Sequence, residues 1–225
     1  GTSLFNPEYL QLAKNKDLVL KPSRREGYKY FVGVDPAIST DGDYNVITVI
    51  EMDEDENKSI VYVDRSKNVQ FRENIQKVKL IGQLFRPEVI LFETNTFAKS
   101  FTQELRNVAD LNVHDFNTTR KKKEEVILNL QMTLENQKMN FPYGNEESRR
   151  VTSALVEELS MFAITERGRF EGIGAHDDMV MSLALANAAT FQITDNFILL
   201  DDMEIFGSSN RSNNRVKMPF LGLNF

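Results

Sequence analysis

Three groups of carboxylates in the 225-residue sequence stand where chemistry is possible. Asp35 follows the apolar run Val32-Gly33-Val34 and precedes Pro36, and Glu93 ends the run Val89-Ile90-Leu91-Phe92. Asp177 and Asp178 open a long apolar stretch in Gly174-Ala175-His176-Asp177-Asp178-Met179. A carboxylate at the end of a buried strand is costly unless it meets solvent, a hydrogen-bond donor or a cation. Taken singly, each acid has a plain alternative. Asp35 can start an Asx-type turn before proline, and one of Asp177 and Asp178 can cap a helix and complement its dipole. Taken together they suggest more. Two strands that each deliver an acid where the hydrophobic run stops bring both acids to one sheet edge if the strands are neighbours. Two adjacent acids at the mouth of a buried helix exceed what a cap requires, and their repulsion raises a pKa unless a cation lies between them. Asp43, in Thr40-Asp41-Gly42-Asp43, is an auxiliary candidate whose alternative is a turn-forming role, and His176 is either a local hydrogen-bonding residue or a group that orients a water or a phosphate.

With no cysteine and only two histidines, thiolate sites, disulfides and a cysteine nucleophile are excluded, and no Ser–His pairing suggests itself. Separated carboxylates suit hard, oxygen-seeking cations such as Mg²⁺ or Mn²⁺. Two such ions about 3.5–4 Å apart stabilise the attacking and leaving oxygens of an in-line phosphoryl displacement without a covalent nucleophile. The net charge of −6 argues against a broad nucleic-acid grip, which needs clustered Lys and Arg. Local charge matters more. Arg120, Lys121, Lys122 and Lys123 form the densest basic run, with Arg149, Arg150, Arg167 and Arg169 as further candidates. The alternative for the run is a solvated helix start followed by Glu124 and Glu125.

These residues need elements to position them. Tyr28–Asp35, Tyr44–Met52 and Ser59–Asp64 read as three strands whose short connections favour an antiparallel meander. A helical stripe of Phe71, Ile75, Val78 and Leu84 or Phe85 ends at Pro87. Val89–Phe92 is a short strand, followed by a helix from about Phe97 to Ala109 and a strand over Asn112–Phe116. A long amphipathic helix from about Lys122 to Gln137 turns Val126, Ile127, Leu130 and Leu134 inward. Met139–Phe141 stops at Pro142, and Glu147–Leu159 is a helix. Phe162–Glu171 reads as a β-hairpin closed at Arg167-Gly168, and Asp177 to about Phe191 as a helix apolar on nearly every face, hence buried. Gly1–Arg25 shows no clear period. No apolar run approaches the roughly 20 residues needed to span a bilayer, nor does the start have the pattern of a secretory signal, so a cytoplasmic protein is expected.

Four segments in order, FVGVDPA with the following DGDYNVITVI, ILFETN, KKKEEVILNLQMTLENQKMNFP and GIGAHDDMVMSLALA, resemble the nuclease domain of tailed-phage large terminase subunits. The resemblance runs from about Tyr28 to Thr190. With the element order, it implies an RNase H-like α/β fold, a mixed sheet flanked by helices with an added β-hairpin and a C-terminal extension over 195–225. It implies residues 26–194 as the nuclease domain and 1–25 as a join to a preceding ATPase motor, and it implies metal-dependent cleavage of double-stranded DNA during viral genome packaging. Asp35, Glu93 and Asp178 match the family's catalytic acids, with Asp177 beside them as a further metal ligand. The hairpin matches an element that contacts or guides DNA, which makes Arg167 and Arg169 candidate phosphate contacts beside the 120–123 run. Two Mg²⁺ or Mn²⁺ ions are implied as cofactors, and the ATPase domain, the small terminase subunit and the procapsid portal as partners. No G-x-x-x-x-G-K-[ST] phosphate loop occurs, so no ATPase activity is expected of these residues. Competing readings are a cellular resolvase-like nuclease of the same fold and a noncatalytic module that docks on the portal or motor.

Overall fold

The computed structural model describes residues 2–37, 44–94, 99–173 and 176–194. In chain order the elements are β1 (Thr2–Ser3), α1 (Pro7–Ala13), β2 (Lys14–Asn15), β3 (Lys29–Asp35), β4 (Tyr44–Met52), β5 (Lys58–Lys67), α2 (Phe71–Phe85), β6 (Val89–Thr94), α3 (Lys99–Ala109), β7 (Val113–Asn117), α4 (Arg120–Glu135), β8 (Met139–Pro142), α5 (Glu146–Met161), β9 (Phe162–Ile164), β10 (Phe170–Gly172) and α6 (Asp178–Thr194). The main sheet has the order β2-β8-β5-β4-β3-β6-β7. β3, β4 and β5 form the expected antiparallel meander. β6 adds parallel to β3 and β7 parallel to β6, while β8 and β2 extend the other side in parallel. The result is a mixed sheet in which β4 alone, among the described strands, runs against the rest.

Strand alternation sorts side chains to two faces. On one face Tyr30, Val32, Val34, Ile47, Val49, Ile90 and Phe92 meet α2 and α3 through Ile75, Val78, Ile81, Phe85 and Leu105. On the other, Phe31, Val46, Ile50 and Leu91 meet α4, α5 and α6. The α4 stripe Val126, Ile127, Leu130 and Leu134 is buried as its spacing predicts. Helix α6 is buried along most of its length, from Met179 to Thr190.

Gly33 lies on the α6 face and decides how closely that helix approaches. A Cβ at this position would stand 2.1 Å from the Ser182 carbonyl oxygen and 2.4 Å from the Ala186 nitrogen. The missing side chain lets Ser182 Oγ donate directly to the Gly33 carbonyl at 2.9 Å, so β3 and α6 are locked backbone to helix.

Residues 2–25, which showed no period in the sequence, are integrated with the rest. Asn6 caps α1 through its side chain, with Pro7 in the first turn. Phe5 and Leu10 are buried in the α6-side core, Phe5 edge-on to Phe162. β1 pairs with β9 of the hairpin and β2 with β8 of the main sheet. A seven-residue helix and two-residue strands are too short to show a recognisable period, although Asn-Pro-Glu is a local helix-start signal. Asp43 and the 195–225 extension lie outside the described residues.

Candidate active site

The register of β3 against β6 brings the first two acids together. Gly33 pairs with Leu91 and Val34 with Phe92, so one residue further on Asp35 lies beside Glu93. Alternation puts both on the face that carries Phe31, Gly33 and Leu91, which is the face covered by α6. Asp35 is only 8% exposed. Burial, then the charge of Glu93 and a hydrogen bond with it, then the charges of Asp178 and Asp177 push its carboxyl well above the ordinary aspartate range. Of these, the hydrogen bond ties the Asp35 carboxyl directly to Glu93. Thr118, just beyond β7, donates to Glu93 Oε1.

The third group arrives from α6. Asp178 is its first residue, and the Tyr44 backbone N–H donates to Asp178 Oδ2 at 3.3 Å. His176 Nδ1 stands 3.6 Å from the same oxygen, and its ring meets Tyr44 edge-on. His176 is thus a neighbour of the acid group. Asp177 is paired with Lys123, whose Nζ lies 2.8 Å from Asp177 Oδ2. Among the described residues no three His, Asp or Glu side chains close around a point where an ion could be held. The arrangement is a hydrogen-bonded pair, Asp35 and Glu93, with Asp177 and Asp178 acting on it through charge. Acids brought this close, with Asp35 buried, are nonetheless a fitting seat for a hard divalent cation, because an opposite charge between carboxylates favours their ionised forms.

The basic candidates divide. Helix α4 starts at Arg120, two residues earlier than its pattern predicts, because Thr119 caps it by accepting from the Lys122 amide. Arg120 to Lys123 thereby occupy the helix start, where the dipole disfavours cations. Arg120 is committed internally: Nη2 donates to the Gly168 carbonyl at 2.8 Å and Nε to Glu124 at 2.8 Å. It ties the hairpin tip to α4. Lys123 faces Asp177, and Lys122 is partly buried. Lys121, 86% exposed and only loosely opposite Glu125, is the most exposed member of the run, ahead of Arg120 at 64%. Arg167 and Arg169 are exposed in the hairpin loop, which is closed by Gly168 at φ +68° and by the Gly168 N–H donating to the Thr165 carbonyl.

Sequence reasoning passed over Thr118, Tyr44, Arg65 and Glu158. Glu158, on α5, is 5% exposed. It accepts from Arg65 Nη2 and from the Met179 amide, each at 2.9 Å. Burial, and secondarily the Asp178 charge, push its carboxyl up to about 7 against the opposing pull of Arg65 and the α6 amides. The one signal was an acid, Glu158, set at a position of α5 otherwise suited to burial.

Sheet order, helices on both faces and acids gathered at one edge define an RNase H-like domain. The family model described as the terminase RNaseH-like domain matches residues 32–189, and the chain belongs to that family. Among solved structures, the large terminase nuclease of thermophilic phage G20c, determined with magnesium bound, is 23% identical, with a TM-score of 0.59 over 80% of this chain and 94% of that one. The nuclease domain of the large terminase subunit gp2 of bacterial virus Sf6 is 11% identical, with a TM-score of 0.58 over 83% and 98%. The large terminase of bacteriophage HK97 is also 11% identical, with a TM-score of 0.61 over 84% of this chain but 43% of that one. At these identities the likeness is one of fold. No curated protein sequence is significantly similar to the chain. No helix among the described residues is long and apolar enough to cross a membrane.

Proposed function

We propose that this chain is a divalent-metal-dependent endonuclease that cuts double-stranded DNA during viral genome packaging. The observation that carries the reading is the pairing of buried Asp35 with half-buried Glu93 on adjacent parallel strands, facing the acidic start of α6. Family membership supports the packaging role, and the G20c nuclease with magnesium bound supports the choice of cation.

In this reading Asp35, Glu93 and Asp178 would hold two Mg²⁺ or Mn²⁺ ions, and Asp177 would assist. When bound, the two ions supply charge stabilisation for the attacking and leaving oxygens of a phosphodiester. The protein's own contribution is orientation. Thr118 fixes the Glu93 carboxylate, the Tyr44 amide fixes Asp178, and Lys123 offsets the negative charge at Asp177. Arg167, Arg169 and Lys121 meet phosphates, while Arg120 holds the hairpin that presents two of them. The expected partners are double-stranded DNA, an ATPase motor domain, a small terminase subunit and a procapsid portal, in the cytoplasm of the host.

Incubation of the purified chain with supercoiled plasmid in Mg²⁺ or Mn²⁺, against an EDTA control, tests the proposal. Metal-dependent nicking and linearisation are expected. Absence of cleavage in both metals by a folded chain overturns it.

A further inference from the structure

Asp178 is held from two sides, and both holders lead to the same ion pair. On its chain-following side, the Met179 amide donates to Glu158 Oε2. The first amides of a helix have no partner within it, and a carboxylate placed on them makes a charge-assisted bond. Glu158 supplies that carboxylate from α5, a different helix. On the other side, the Tyr44 amide donates to the Asp178 carboxylate, and the Tyr44 ring lies under the Arg65 guanidinium at 3.9 Å. Arg65 also donates to Glu158 Oε1. The chain of contacts therefore closes: Glu158 to Met179, Asp178 to Tyr44, Tyr44 to Arg65, and Arg65 back to Glu158.

A buried carboxylate–guanidinium pair contributes little net stability relative to apolar residues of the same volume. Its value here lies in placement. The Ser182–Gly33 hydrogen bond anchors α6 beyond its first turn, whereas apolar packing of Ala184, Leu185 and Ala188 is non-directional. A hydrogen bond to the first turn is directional, and it fixes where the helix begins.

We propose that Glu158, itself held by Arg65, is a positioning residue that sets the amino end of α6 and so places the Asp178 carboxylate opposite Asp35. This rests on the reading of Asp178 as a metal ligand.

Two conservative variants separate reach from charge. Glu158→Gln keeps an oxygen that can accept the Met179 N–H but loses the charge. Glu158→Asp keeps the charge but is one methylene too short. Mn²⁺ binding by titration calorimetry and plasmid nicking as a function of Mn²⁺ concentration read the outcome. Glu158→Asp is expected to bind Mn²⁺ about 10–100-fold more weakly, the usual scale for groups that orient a ligand, and to need correspondingly more Mn²⁺ for half-maximal nicking. Glu158→Gln retains most of the affinity. In ¹H–¹⁵N spectra of the metal-free chain, the Met179 amide moves in the Asp variant and stays near its parent position in the Gln variant. Parent-like Mn²⁺ binding by Glu158→Asp, or equal weakening in both variants, overturns the positioning role. If Glu158→Asp does not fold, Arg65→Lys carries the test, because it keeps the charge and loses the planar stack on Tyr44: weaker Mn²⁺ binding supports the proposal and parent-like binding overturns it. Asp178→Asn distinguishes the two levels. If it loses Mn²⁺ binding while Glu158→Asp does not, the positioning role alone fails; if it binds and nicks like the parent, the ligand role fails and this proposal with it.

Discussion

Lys123 places its ammonium 2.8 Å from Asp177 Oδ2, so a cation of the chain itself already stands at the acidic start of α6. Both side chains are about one-quarter exposed, and solvent screens the pair. Replacing Lys123 with Met is expected to cost the metal-free protein about 1 kcal/mol or less and to tighten Mn²⁺ binding, because a competing positive charge is removed. Thermal melting without metal, alongside calorimetric titration with Mn²⁺, checks both. Weaker Mn²⁺ binding in Lys123→Met would show instead that the lysine assists the ion.

The acids should trade stability for cleavage. Asp35 has its folded pKa raised, and so has Glu158. Each therefore binds more protons folded than unfolded between its two pKa values, and stability falls as pH rises through that window. For Glu158 the window runs from the ordinary value near 4.5 to about 7. Asp35→Asn removes the Asp35 contribution, so the metal-free variant should melt higher than the parent at pH 7 and lose less stability between pH 5 and 8. It should not nick DNA. The same loss of nicking is expected for Glu93→Gln and Asp178→Asn, and full cleavage by both Asp35→Asn and Glu93→Gln would remove the metal site from consideration.

DNA grip should be uneven across the basic candidates. Each phosphate contact contributes about 0.9 to the slope of log K against log salt. Replacing Arg167 and Arg169 together is expected to flatten that slope by about two units, and Lys121→Ala by about one. Lys123→Ala should leave it unchanged, since its partner is Asp177. Arg120→Ala frees the hairpin tip from α4 and should weaken binding by loosening Arg167 and Arg169. A fluorescence-anisotropy salt series on duplex DNA decides, and equal slopes for all variants would return the hairpin arginines to a solvated role.

Gly33→Ala is the packing counterpart. The new methyl meets the backbone of α6 at Ser182 and Ala186, which cannot rotate away, so α6 must shift. Destabilisation of about 1–3 kcal/mol or more is expected, with reduced nicking because Asp178 moves with the helix. Denaturant unfolding and the plasmid assay measure the two effects, and a parent-like result in both would mean that the approach of α6 is looser than described.

Glu51 provides a control remote from the acids. It is 2% exposed and accepts from Arg25 Nη2 at 2.6 Å and from the Tyr30 hydroxyl at 2.7 Å. Burial pushes its pKa up, but those hydrogen bonds and the charges of Lys21 and Arg25 together hold it below the ordinary value. Its stabilisation is thus present above the unfolded pKa and lost as pH falls through the folded one. Glu51→Ala is expected to cost about 1.5–3 kcal/mol with nicking per folded molecule intact. Cleavage lost in proportion to more than the unfolded fraction would contradict this separation.

Much of the molecule was legible in one dimension because its signals are local. The apolar runs ending at Asp35 and Glu93, the inward stripe of α4, the Pro87 stop, and the apolar circumference of α6 are each a property of a short stretch of consecutive residues, and each element formed close to where its pattern lay. The acids were conspicuous because a carboxylate closing a hydrophobic run is costly wherever it falls. What only the tertiary structure decided was pairing. The β3–β6 register sets Asp35 beside Glu93, the absent side chain of Gly33 lets α6 close over them, and Lys123, Thr118, Arg65 and Glu158 acquire their partners across separations of 21 to 93 residues. The N-terminal residues show the same division: α1 and β1 are too short to be stable alone, and they exist because Phe5 and Leu10 find a core that other segments build. Local pattern carries the free energy of forming an element, whereas the choice of its neighbour is settled by packing and charge summed over the whole chain, which no window of sequence contains.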